Sequence, residues 1–344
     1  MGGPASYAQV VPKARILKSA LLTPDKIKEM IATPDFKDAV AQLRDSLYTQ
    51  ASEAPTIEEA TRQLEAAFIR ILEKLEKASP PAGAEIVVAF RRDYELRDIL
   101  TALQRVIVGS PGLQELPSYH VEGSLLRRLT QDPEALASHT RFIEALEGTW
   151  AHKYLALADK IYRETRNPML VSWAHLYGSL DMYTAQLDEN RQAGALHRII
   201  CTIVEQRVAQ SLIQAKVGGI DSKLVEQLIT PAKRCGLDVA QLKQAYDREA
   251  VPEDLAASIR DAFKYVKLEG GNIGEILASI RRTSRMALKS AIRAAFESYP
   301  FTPAIVAAAA AMIRIEVEDV NTILTSITMK LKPDEYTKIL IIDK

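Results

Sequence analysis

Along most of this chain, apolar residues recur at the three- and four-residue spacing of an amphipathic helix. The clearest stretch predicts a helix from about Ile57 to Lys77. Leu64, Ala67, Phe68, Ile71, Leu72 and Leu75 share one face, and Arg70, Glu73, Lys74 and Glu76 take the other. Pro80-Pro81 and Gly83 end it. A second helix is predicted from about Ala84 to Val108, carrying Asp93-Tyr94-Glu95-Leu96-Arg97-Asp98-Ile99-Leu100. A third runs from about Leu180 to Ala215 with Leu196, Ile199, Ile200, Ile203 and Val204 on its apolar side. Start signals punctuate the chain at Thr23-Pro24-Asp25, Thr33-Pro34-Asp35, Asp132-Pro133-Glu134, Val251-Pro252-Glu253-Asp254 and Thr302-Pro303. Each places proline where a helix needs no N–H, and most add acid where the dipole favours it. Nowhere do β-branched residues alternate with polar ones between turn signals. The pattern predicts an all-α fold with essentially no sheet; residues 1–12, which carry no pattern, read as a partly ordered lead-in.

Gly109-Ser110-Pro111-Gly112 and Val217-Gly218-Gly219 read as linkers. They divide the chain into helical units at 1–112, 113–219 and 220–344. Gly270-Gly271-Asn272-Ile273-Gly274 reads as a turn inside the third. The terminal block, Thr302 to Lys344, has faint echoes upstream: Leu96, Ile99 and Leu100 can be laid over Leu196, Ile199 and Ile200, and over Val320, Ile323 and Leu324. These offsets of 100 and then 124 residues exceed those of common helical solenoids, about 34 to 47. Any three amphipathic helices share some matches, so spacing leaves both repetition and coincidence open.

Composition narrows the function. The 344 residues carry 44 basic and 44 acidic side chains, with no basic cluster, so a nucleic-acid partner is not expected. Cys201 and Cys235 form no C-x-x-C pair or disulfide framework and read as free thiols in a reducing compartment. The longest uncharged run, Ser298 to Ile313, is interrupted by Pro300 and Pro303 and falls short of the roughly 20 apolar residues of a membrane span. No apolar region of a secretory signal follows the N-terminus. Met1 to Ser6 fits the loose acylation pattern, which is short and common, and acylation is not expected.

Catalytic signatures are missing. There is no phosphate-binding G-x-x-x-x-G-K-[ST], no dinucleotide G-x-G-x-x-G, no H-E-x-x-H and no G-x-S-x-G. His139, His152 and His175 are too scattered for a local metal site. Carboxylates stand beside basic residues, as at Glu73 to Lys77 and Glu144 to Glu147, and read as solvated helix faces. Glu316, Glu318 and Asp319, with Asp334 and Glu335, are expected to make the terminal block acidic on its outer surface. Ala307 to Ala311 has so little side-chain bulk that another backbone can approach closely, from a partner or from within the chain. No catalytic, cofactor-binding or metal-binding residue is assigned.

Ile315-Glu316-Val317-Glu318-Asp319-Val320-Asn321-Thr322-Ile323-Leu324, followed by Lys330-Leu331-Lys332-Pro333-Asp334-Glu335, resembles the C-terminal signature of the C-type stalk subunits of archaeal A-type and bacterial V/A-type ATP synthases. The d-type subunits of the eukaryotic V-ATPase belong to the same family. Tyr7-Ala8, Ala14-Arg15, Leu21-Leu22 and Phe36 to Tyr48 look like that family's opening helices. The family usually has an Asn-Leu-Arg step where this chain has Asp319-Val320-Asn321, so the contacts of that step are not carried over. The resemblance implies three similar units arranged as a pseudo-threefold funnel. It implies a non-catalytic central-stalk subunit that links the soluble rotor shaft to the membrane proteolipid ring. Such a subunit transmits torque for ATP synthesis coupled to proton or sodium transport. It is peripheral on the cytoplasmic face of the membrane and binds no cofactor and no nucleotide. Two other readings compete with it: a generic helical protein-interaction scaffold, and a helical enzyme using converged carboxylates or the central histidines. The aspartate-rich D-D-x-x-D runs of helical prenyl-chain enzymes are missing here.

Overall fold

The computed structural model describes residues 4–110, 112–189 and 194–341. Among them there is no β-strand, and the framework is three pairs of helices. Helices α1 (Val10–Ser19), α2 (Pro24–Ala32) and α3 (Phe36–Ala41) lead to the first pair, α4 (Ile57–Ala78) and α5 (Pro81–Ile107). Short α6 (Leu125–Leu129) and α7 (His139–Glu144), then α8 (His152–Thr165), precede the second pair, α9 (Ala174–Glu189) and α10 (Gly194–Val217). Helices α11 (Ser222–Ile229), α12 (Val239–Arg248) and α13 (Pro252–Ser258) lead to the third pair, α14 (Ile273–Glu297) and α15 (Pro303–Thr328), and α16 (Pro333–Tyr336) follows.

Most start signals act as expected. Thr23 accepts the Lys26 N–H to open α2, and α13 and α15 begin at Pro252 and Pro303; Thr56 and Asn272, outside those signals, cap α4 and α14 by accepting the N–H groups of Glu59 and Glu275. The turn before α14 needs glycine at Gly270, where φ is +142° and a Cβ would collide with that of Glu275. Two signals shift. Asp35, not Thr33, caps α3; Thr33 instead closes α2, its hydroxyl donating to the Glu29 carbonyl. Asp132-Pro133 opens only a 3-10 turn, Pro133–Leu136.

Three further expectations are corrected. The lead-in is structured from Pro4, and Tyr7, Val10, Val11 and Ala14 are buried, with α1 packed on α15. The predicted Leu180–Ala215 helix is two elements, α9 and α10; residues 190–193 between them, like Met1–Gly3 of the acylation pattern and Pro111 of the first linker, lie outside the described residues. Cys201 and Cys235 are disulfide-bonded, with Cα atoms 5.4 Å apart. Their separation of 34 residues hid this, because α10 and the 3-10 turn Thr230–Cys235 meet only through tertiary packing.

The helices of the first and third pairs run antiparallel. Arg97 bonds Glu65 while Arg91 bonds Glu76, so one index falls as the other rises along α4 and α5. Arg285–Asp319 and Arg281–Thr322 set the same sense for α14 and α15. Between pairs, α5 and α15 run in one direction: Gly83 lies against Val306, and Asp93 lies 3.8 Å from Arg314. Close approach at that first contact is possible because Gly83 has no side chain; a Cβ there would already stand 3.2 Å from Val306. Ala307 to Ala311 are completely buried, so the alanine run serves packing within the chain. Helix α10 is buried on nearly every side, from Leu196 through Ile200, Val204 and Val208 to Leu212, as a helix surrounded by others must be.

Candidate functional site

The three helix pairs meet in a buried network of charge. At its centre Asp93 of α5 is 1% exposed. Its Oδ2 accepts from Arg207 of α10 at 2.5 Å and from the Tyr183 hydroxyl of α9 at 3.1 Å. Oδ1 lies 2.9 Å from Nε2 of His175, and Arg314 of α15 stands 3.8 Å from Oδ2. Burial alone would push the Asp93 carboxyl up. Arg207, His175 and Arg314 together outweigh it and hold the group far below the usual carboxylate range.

Arg314 continues the chain of pairs. Its Nε donates to Glu318 at 2.8 Å and its Nη1 to the Tyr183 hydroxyl at 3.3 Å. Glu318 also accepts from Arg285 of α14 at 3.1 Å. Burial opposes its charge, yet Arg314 and Arg285 bring its pKa down to about 2. Arg285, 2% exposed, further donates to Asp319 and to the Ile339 carbonyl. Asp319 completes the link by accepting the Ile341 N–H at 3.1 Å. Such planar, multiply donating bonding suits arginine and not lysine.

Three buried glutamates lie beside this network with one geometry. Glu95 of α5 accepts the Leu125 N–H, Glu205 of α10 accepts that of Tyr265, and Glu316 of α15 accepts that of Leu22, each at 2.6 Å. Every one holds the backbone of a segment outside its own helix pair, and the last returns to the start of the chain. Glu316 also accepts the Tyr48 hydroxyl at 2.6 Å; burial pushes its pKa up to about 7 against those two bonds. Asp98 adds a fourth anchor, accepting the Ser118 N–H at 2.9 Å and its hydroxyl at 2.6 Å.

The expectation that the acids of the terminal block face solvent holds for Asp334 and Glu335, which are exposed, and is corrected for Glu316, Glu318 and Asp319. Glu316 and Asp319 are buried and Glu318 is partly buried. The helical phase carried the signal: Glu316 is in step with Ile313 and Val320, and Asp319 with Ile315 and Ile323, on faces that are otherwise apolar. The internal correspondence also moves. The glutamates fall at 95, 205 and 316, beside the positions 96, 196 and 320 of the apolar comparison in the first and third cases and away from it in the second.

The histidines stay apart: His175 joins Asp93, His139 lies 3.8 Å from Asp159, and His120 meets the Gln114 carbonyl. Among the described residues no three His, Cys, Asp or Glu side chains converge as metal ligands, and no helix is long and apolar enough to cross a membrane. What the network offers is mechanical: ion pairs and backbone anchors join helices from all parts of the chain into one body.

No curated protein matches the chain. A protein-family model, described as ATP synthase (C/AC39) subunit, matches residues 10–339, nearly the whole length. The chain belongs to the ATP synthase (C/AC39) subunit family, whose members are accessory stalk subunits that assemble into the ATP synthase complex.

Proposed function

We propose that this chain is the non-catalytic socket of the central stalk in a rotary ATP synthase or ATPase. It receives the soluble rotor shaft, rests on the membrane proteolipid ring at the cytoplasmic face, and transmits torque between ATP synthesis and ion transport. The observation that carries this is the family match over residues 10–339.

The geometry supports the reading. A torque coupler must not shear, and three helix pairs tied by buried arginine–carboxylate bonds form a stiff body. Units at 1–112, 113–219 and 220–344 around a pseudo-threefold axis form part of the proposal. In that division Glu95 links the first unit to the second, Glu205 the second to the third, and Glu316 the third back to the first.

The test is binding of the purified chain to soluble shaft subunits and, separately, to detergent-solubilised proteolipid ring. Binding to both is expected, with loss of coupled ATP synthesis in complexes that lack the chain. Binding to neither by folded protein, or intact coupling without it, overturns the assignment.

A further inference from the structure

A cavity of about 420 Å³ lies beside α5, lined by Arg92, Thr149, Trp150, His152 and Met182 among others. Arg92 is partly buried, and its guanidinium stacks on the Trp150 ring at 5.1 Å. Among the described residues it makes no hydrogen bond and no ion pair, and its Nε is shut off from solvent without a partner. The other arginines of α5 are all paired: Arg91 with Glu76, Arg97 with Glu65, Arg105 with Glu115. A buried donor left unsatisfied costs roughly 1–3 kcal/mol, more when charged. His152 also lines the cavity, although its Nδ1 is shut off from solvent and lacks a partner.

The surroundings favour an anion. Lys153, at the rim, is held by Asp181 at 2.7 Å, whereas Glu85, Glu95 and Glu76 act on Arg92 only from beyond ion-pair distance. Tyr154 also bonds Asp181, which places that carboxylate's bonds away from Arg92. Trp150, Tyr154 and Met182 supply apolar wall. Guanidinium forks match carboxylate and phosphate oxygens and remain charged at any ordinary pH.

We propose that this cavity binds the oxyanion of a small molecule, a carboxylate or phosphate group anchored by the Arg92 guanidinium. Anion binding here is independent of the stalk assignment.

The test reads Trp150 emission in the full chain carrying Trp173→Phe, which leaves one tryptophan. Sodium phosphate and sodium benzoate are titrated separately against sodium chloride at matched ionic strength. A saturable change with one or both probes, beyond that of chloride, is expected. The phosphate arm reports a free tetrahedral anion and the benzoate arm a carboxylate with an apolar body. Arg92→Gln is expected to weaken binding by about tenfold or more, with only a small drop in melting temperature from the lost stacking on Trp150. Arg92→Lys, which keeps the charge without the planar fork, is expected to weaken binding several-fold and stands in should Arg92→Gln not fold. A response to neither probe above chloride overturns the proposal, as does unchanged affinity in both variants.

Discussion

Glu316 accepts the backbone N–H of Leu22 at 2.6 Å across 294 residues of sequence, and so joins the last long helix to the turn between α1 and α2. With the Tyr48 hydroxyl on its other oxygen, one side chain anchors two segments of the N-terminal region.

That anchor titrates. In the unfolded chain a glutamate releases its proton near pH ~4.3, whereas burial holds the folded Glu316 at about 7. Between those values the folded state keeps a proton that the unfolded state has lost. Stability therefore falls as pH rises through this window, by ~3 kcal/mol from this group. Glu316→Gln keeps an oxygen for Leu22 and removes the titration. Urea unfolding from about pH 5 to 8 is expected to show a flatter stability profile in the variant; an unaltered slope contradicts the account.

Asp93 works in the opposite sense. Its folded pKa is depressed, so its contribution is present above the ordinary carboxylate range and is lost on acidification. Asp93→Asn leaves Arg207 and Arg314 buried beside a neutral amide. The expected cost is ~3–5 kcal/mol at neutral pH, with a weaker acid dependence below about pH 4, both read from chemical denaturation.

Arg285 holds Asp319, Glu318 and the Ile339 carbonyl from a fully enclosed position. Arg285→Met strands Asp319 and is expected to cost ~3–5 kcal/mol. Arg285→Lys keeps the charge without the fork and should recover only part of it. Full recovery by lysine in a thermal melt would show that charge alone suffices.

Gly178 lies within α9, where alanine would ordinarily add ~1 kcal/mol of helix stability. Here a Cβ would collide with Leu96 and stand 3.1 Å from Tyr154, both buried. Gly178→Ala is expected to destabilise by ~1–3 kcal/mol through overpacking, and Leu96→Ala in the same chain to relieve part of the clash. A more stable single variant would refute the close contact between α5 and α9.

The disulfide has a direct check. Thiol titration of unreduced protein in denaturant should detect no free thiol, and reduction should release both, from Cys201 and Cys235. Cys201→Ser is expected to cost ~2–4 kcal/mol.

Much of this protein was legible in its sequence. Repeated caps and the 3.6-residue period foretold α2, α4, α5 and the start of α15 within a few residues, because each depends on neighbours along the chain. The terminal block carried the family resemblance, which the match over residues 10–339 bears out. Other features waited for the tertiary structure. The roles of Asp93, Glu95, Glu205, Glu316 and Asp319 depend on partners such as Arg207, Leu22 and Tyr265, which only packing brings within bonding distance. In sequence a carboxylate beside an arginine reads the same whether it faces water or a guanidinium inside the core. Periodicity reports which face of a helix is buried; what that face meets is decided by the fold, which here makes charged residues on apolar stripes the joints between helix pairs.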